Sequence, residues 1–166
     1  MNIKRVLKHF RRERAFRLIN GRLAGPKCFR KKLYLLRKAG YEIGDGTKIV
    51  GPLFVSTNLK IGKNCWIGRN FSCEGDGLVV IGNNCDIAPN VVISTGGHQI
   101  GGPERRAGVG ITTNVTVGEG CWICNSALIF ADVNRSSVVA AGAVVINEVK
   151  ENRLVAGVPA IEKKVL

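Results

Sequence analysis

Imidazole is scarce in this chain, because His9 and His98 are its two histidines. Two cannot supply the three-histidine set of a catalytic zinc site, so no metal is expected. His98 stands in Ser94-Thr-Gly-Gly-His98-Gln-Ile-Gly101, a polar, glycine-rich setting. A neutral imidazole, with an ordinary pKa of about 6.5, can take up and return a proton near neutral pH. A solvated surface histidine accounts for the same residues. Glu74 and Asp76, in Cys73-Glu-Gly-Asp-Gly77, are acids that could hold such a ring in one tautomer, or could be solvated turn residues. Glu104-Arg105-Arg106 reads as a solvated loop tip, or as arginines binding an anion through bidentate hydrogen bonds.

Six cysteines would suggest disulfides in a secreted chain, but three recur in one context: Asn64-Cys65-Trp66-Ile67, Asn84-Cys85-Asp86-Ile87 and Gly120-Cys121-Trp122-Ile123. A repeated context means a repeated packing position, where free cysteine serves as a small buried hydrophobe. Cys121 and Cys124 have C-x-x-C spacing, yet lie inside this repeat with no βαβ pattern around them, which argues against a redox role. Cys73 and Cys124 are the nearest candidates for a covalent nucleophile, and neither has a base beside it in sequence. No G-x-x-x-x-G-K-[ST] is present, and the glycine pairs near His98 do not fit a dinucleotide fingerprint.

The element that positions these residues is a six-residue repeat. It begins as Ile43-Gly44, Ile49-Val50, Val55-Ser56, Ile61-Gly62 and Ile67-Gly68, shifts by two after residue 73, and resumes at Ile81, Ile87 and Ile93. Further blocks run through Val117, Ile123 and Ile129, then Val139 and Val145. Helices and simple strands have side-chain periods of about 3.6 and 2, and neither gives six. A three-sided prism of short strands does, with each hexapeptide forming one face and one corner and the aliphatic pointing to the axis. Coils of such a prism stabilise one another as in any solenoid. Glycine after the aliphatic fits a tight corner. The stretch from Thr95 to Asn114 breaks the period and must leave the prism as a loop.

These residues resemble the hexapeptide-repeat acyltransferases, over about residues 42–166 and most closely over Ile81–His98 and Val117–Lys164. The resemblance implies an all-β fold, a left-handed parallel β-helix with a short N-terminal α-helical arm. The sugar acetyltransferases of this family carry a histidine after an Ile-Ala-Pro-Asn-Val hexad, as at Ile87–Val91 here, so His98 is expected to be the general base. Glu74 or Asp76 is expected to orient it, and Glu104, Arg105 and Arg106 to meet the acceptor. Acetyl-CoA is the implied cosubstrate. Family resemblance places Asn125 and Ala141 along its groove and Lys164, with Lys163, at its phosphates. It also implies a homotrimer whose active sites lie between neighbouring prisms. Two departures stand out: Asn134-Arg135-Ser136-Ser137 is about two residues short of a hexad, and Asn147 replaces a basic residue.

Charge divides the chain in two. Residues 1–41 hold 14 of the 25 lysines and arginines and one acid, Glu13; from Glu42 onward the two signs balance, so the net charge of +13 belongs to the arm. Apolar Val6, Leu7, Phe10, Leu33, Leu35 and Leu36 among its basic residues predict two helices broken at Gly25-Pro26. Such an arm packs on the β-helix end or a neighbouring subunit, or makes peripheral contact with an anionic membrane or lipid-linked substrate. Nucleic acid is not expected, since no aromatic stacking platform accompanies the charge. No stretch approaches the roughly 20 apolar residues of a membrane span, and no secretory signal is seen, so the cytoplasm is the expected location.

The chain thus reads as an arm over residues 1–41 and an acetyltransferase domain over 42–166, with an extruded loop near 95–114 and a C-terminal tail. The expected reaction is O-acetylation of a sugar in surface polysaccharide or lipopolysaccharide synthesis. N-acetylation of an amino sugar, acetylation of serine or an antibiotic, and a catalytically silent scaffold are the alternatives.

Overall fold

The structure, a computed structural model, describes residues 3–166. Short strands stack into three parallel sheets that form the faces of a solenoid of about six coils. The first face comprises Glu42–Ile43, Asn58–Ile61, Leu78–Ile81 and Val115–Val117, continued by bridges at Val133 and Val149. The second runs from Lys48–Ile49 through Trp66–Ile67, Asp86–Ile87, Trp122–Ile123 and Val138–Val139 to Arg153–Ala156. The third contains Leu53–Val55, Phe71–Glu74, Val92–Ser94, Leu128–Ile129 and Val144–Val145.

The repeated aliphatics form the interior columns. Ile43, Ile61, Ile81, Val117, Val133 and Val149 line the first face, and Ile49, Ile67, Ile87, Ile123, Val139 and Val155 the second; all are buried. Each such side chain contributes about 1.5–3 kcal/mol by leaving water. Cys65, Cys85 and Cys121 occupy one inward position in successive coils, as their repeated context predicts. Their thiols donate to the carbonyl oxygens of Gly82, Gly118 and Asn134 at 3.0, 3.0 and 3.1 Å. Thr47 and Ser137 extend the ladder, donating to Gly62 and Lys150.

Glycine after the aliphatic is required for a reason other than corner strain. At the corner between the first and second faces the left-handed residues are Gly46, Asn64, Asn84, Gly120, Ser136 and Asn152, stacked above one another. Gly62 instead lies against the next coil, where an added Cβ would come within 2.6 Å of the Gly82 carbonyl carbon.

Every departure from period six falls at one corner, from the third face to the first. Six residues separate Val55 from Ile61, eight separate Cys73 from Ile81, and twenty-four separate Ile93 from Val117. Four separate Ile129 from Val133 and Val145 from Val149. The missing residues therefore belong to the corners at 130–132 and 146–148, and Asn134–Ser137 lies in a full hexad. A count between Ile129 and Val139 cannot choose between the two corners it spans.

The arm folds as α1 (Ile3–Asn20) and α2 (Phe29–Lys38) and closes the open end of the first coil. Strands there have no preceding coil, and one arm side chain serves each face. Arg37 Nε donates to Ile43 O at 2.8 Å, and Lys32 Nζ to Ile49 O and Val50 O at 2.8 and 2.6 Å. Asn20 both donates to Leu53 O and accepts from Leu53 N. Lys32 is fully buried, and its third donor takes Gly25 O at 2.6 Å. Among the described residues, no helix is long and apolar enough to cross a membrane.

Candidate active site

The insertion predicted as a loop is a two-stranded antiparallel hairpin, Gly96–Ile100 against Ala107–Thr112. Its own backbone pairing satisfies groups that an irregular excursion would leave to water. Thr95 anchors its base: the buried hydroxyl donates to Glu74 O at 2.9 Å and accepts from Gly77 N at 3.1 Å. Nothing in the local sequence marks Thr95 apart from its place at the end of a hexad.

His98 lies on the first strand opposite Gly110, beside an irregularity in the pairing. Its Nδ1 is 2.9 Å from the carbonyl oxygen of Gly108. A carbonyl can only accept, so Nδ1 carries the hydrogen, and in the neutral ring Nε2 keeps the lone pair. The hydrogen bond that the ring makes is thus to a backbone carbonyl. Asp76 lines a cleft of about 520 Å³ together with Gly96, Gly97, His98, Gly110, Ile111 and Thr112. Glu74 accepts from Ser72 Oγ at 3.0 Å and lines another cavity with Phe16 and Asn20.

Glu104, Arg105 and Arg106 occupy the exposed hairpin tip, where Arg106 Nη1 donates to Gly101 O at 3.3 Å. Asn125 and Ala141 stack in successive coils at another corner, between the second and third faces; Gly142 N donates to Asn125 O. Lys163 and Lys164 lie on Ile161–Val165, which folds back antiparallel on the last coil of the second face. His98 therefore stands on a different edge of the prism from Asn125 and Ala141, and one chain does not bring them together.

A covalent route through Cys73 or Cys124 finds no support. Burial pushes the Cys73 thiol far up and raises Cys124 as well, which disfavours the thiolate at both. All six cysteines are free. Among the described residues, no three His, Cys, Asp or Glu side chains converge as a metal site.

No family model matches the chain. Individual relatives do. A Saccharomyces cerevisiae protein provisionally named an acetyltransferase is 34% identical over 157 residues, 92% of this chain and 80% of its own length. Galactoside O-acetyltransferase of Escherichia coli is 30% identical over 138 residues, 81% of this chain and 68% of that enzyme. A galactoside acetyltransferase solved with coenzyme A superposes with a TM-score of 0.83 at 26% identity, covering 95% of this chain and 80% of that one. The chain belongs to the hexapeptide-repeat acetyltransferases, enzymes built on a left-handed parallel β-helix. Within them it is an acyltransferase of the galactoside O-acetyltransferase type.

Proposed function

We propose that the protein transfers acetyl from acetyl-CoA to a sugar hydroxyl, with His98 as general base. The observation that carries this is the His98–Gly108 hydrogen bond, which leaves Nε2 free to accept a proton. As the acceptor oxygen attacks the thioester carbonyl, its proton passes to Nε2. The C–S bond then breaks, and the imidazolium returns the proton to the departing thiolate. Such proton transfer accelerates a reaction by about 10²–10⁴-fold. Asp76, on the same cleft, accepts hydrogen bonds from the sugar. Arg105 and Arg106 meet acceptor groups at the mouth.

Acetyl-CoA lies along the edge bearing Asn125 and Ala141, with Lys163 and Lys164 at its phosphates. Because that edge and His98 are apart within one chain, the site is completed by another copy, in a homotrimer. An apolar outer stripe supports this. Val92, Leu128 and Val144 are in register on the third face, and Phe130 and Ile146 are 42% and 52% exposed beside it. Residues 1–41 act as the cap of the catalytic unit 42–166. Membrane contact is not part of this proposal, since three of the arm's polar side chains are committed to strand ends. Modification of surface polysaccharide or lipopolysaccharide precursors in the cytoplasm is the biological role.

The test is thiol release from acetyl-CoA by purified protein over a panel of galactosides, amino sugars, serine and chloramphenicol, with His98→Ala alongside. Galactoside-dependent release that disappears in the variant supports the assignment. Equal release by both proteins removes His98 from its role, and release confined to an amine transfers the reading to N-acetylation.

A further inference from the structure

The outer side of the second face carries a column of residues that the acetyl-transfer scheme does not use. Trp66, Asp86 and Trp122 are paired in register on three successive coils, so the acid lies between the two indoles. Outward positions on a solvated solenoid face are ordinarily polar, as on the first face, where Glu42 and Lys60 pair. Here Trp66 is 36% and Trp122 is 54% exposed. With strands about 4.8 Å apart, the indoles are separated by roughly 10 Å. Between them is a cleft of about 350 Å³, lined also by Ile87, Ala88 and Pro89. The Asp86 carboxylate forms no ion pair among the described residues. Phe29 of α2 extends the row, its ring centroid 6.0 Å from that of Trp66.

We propose that this column is a binding track for an extended saccharide, so that the acceptor is an oligosaccharide or longer glycan. The proposal rests on the sugar-acceptor assignment above and specifies its substrate class. Pyranose rings present apolar C–H faces that cover indole, and hydroxyl edges that need hydrogen-bond acceptors. An alternation of indole, carboxylate and indole offers both in turn. The interval between the indoles is one that two linked pyranoses span. Trp122 lies three residues before Asn125, so the track leads to the edge proposed for acetyl-CoA. A small monosaccharide would leave most of it empty.

The chain has only two tryptophans, and both are in the column, so tryptophan emission, excited selectively over the two tyrosines, reports on this surface alone. The intact protein is titrated with galactose, lactose and a linear galactotetraose, with tetramethylammonium as a cation control. A blue shift is expected with the oligosaccharides, with affinity rising about tenfold from galactose to the tetrasaccharide. Trp66→Ala and Trp122→Ala each leave one reporter and should bind the tetrasaccharide about three- to tenfold more weakly. Asp86→Asn preserves shape and should also weaken binding.

Equal affinity for galactose and tetrasaccharide, or unaltered tetrasaccharide binding in both tryptophan variants, would overturn the track. A response to tetramethylammonium but to no sugar would overturn it in favour of a cation site. Thiol release is followed on the same preparations. Galactoside-dependent release without an emission change sinks the track alone, whereas an oligosaccharide emission response without release from any sugar sinks the sugar O-acetylation assignment and leaves the track.

Discussion

His98 Nδ1 donates to Gly108 O at 2.9 Å across the hairpin, so the backbone of one strand sets the tautomer of a side chain on the other. The orientation should therefore respond to hairpin geometry more than to Glu74 or Asp76. A Cβ on Gly108 would lie 2.9 Å from Gln99 O and 3.2 Å from Gly101 Cα, both backbone atoms, so the strand must move. Gly108→Ala is expected to lower kcat about ten- to hundredfold with little change in melting temperature. Glu74→Gln should leave kcat unchanged, because that carboxylate faces another cavity. Asp76→Asn should act chiefly on the acceptor KM. Steady-state kinetics of the three variants check this, and a large kcat loss in Glu74→Gln would show that an acid orients the ring after all.

Much of this site was legible in the sequence because solenoid stacking is a local rule. The hexads placed His98 at an interruption and Glu74 and Asp76 one coil earlier, and the structure puts both interruptions on one edge. The Gly108 carbonyl was not legible, since a backbone acceptor has no residue-type signature and its partner depends on hairpin register. The capping roles of Lys32, Arg37 and Asn20 were hidden for a related reason. A basic arm looks alike whether its charges face solvent or strand ends, and only the docking of α1 and α2 on the first coil separates these cases.

Lys32 gives a stability prediction with a sign. Lys32→Met strands the buried carbonyls of Ile49 and Val50 and should cost about 2–4 kcal/mol, read by chemical denaturation. Burial lowers the Lys32 pKa, with Cys28 opposing and Lys27 reinforcing the shift. Between that lowered value and the ordinary lysine value of about 10.4, the unfolded chain binds more protons than the fold. Stability from Lys32 therefore increases as pH rises through this window. The wild-type advantage over Lys32→Met should widen on alkalinisation, and a gap that narrows would mean that the carbonyl cage favours the ammonium over burial.

The inward cysteine ladder predicts a reactivity pattern. Burial raises the Cys73 and Cys121 thiols, and Cys85 is raised chiefly by its contact with Cys65 together with burial. Cys28 is exposed and Cys124 partly so. Titration of native protein with a chromogenic disulfide at neutral pH should show one fast thiol, lost in Cys28→Ser, and one slower thiol, lost in Cys124→Ser. The remaining four should appear only in denaturant. Rapid reaction of Cys85 in the native protein would mean that the prism opens on the timescale of the assay.

The separation of His98 from the edge carrying Asn125 and Ala141 makes the trimer testable by function as well as by mass. Phe130→Asp combined with Ile146→Asp places charge on two exposed apolar residues beside the proposed contact, and should yield a folded but inactive monomer in sedimentation. Mixing is the sharper measurement. His98→Ala lacks the base, and Ala141→Trp fills the exposed corner where acetyl-CoA is expected to lie, so each homotrimer should be inactive. In mixed trimers, some interfaces pair an intact His98 from one chain with an intact Ala141 from the next. Subunit exchange between the two inactive proteins should therefore restore activity, to an extent set by the mixing ratio. If both residues served the same site from one chain, each subunit would carry a defect and no mixture would recover turnover.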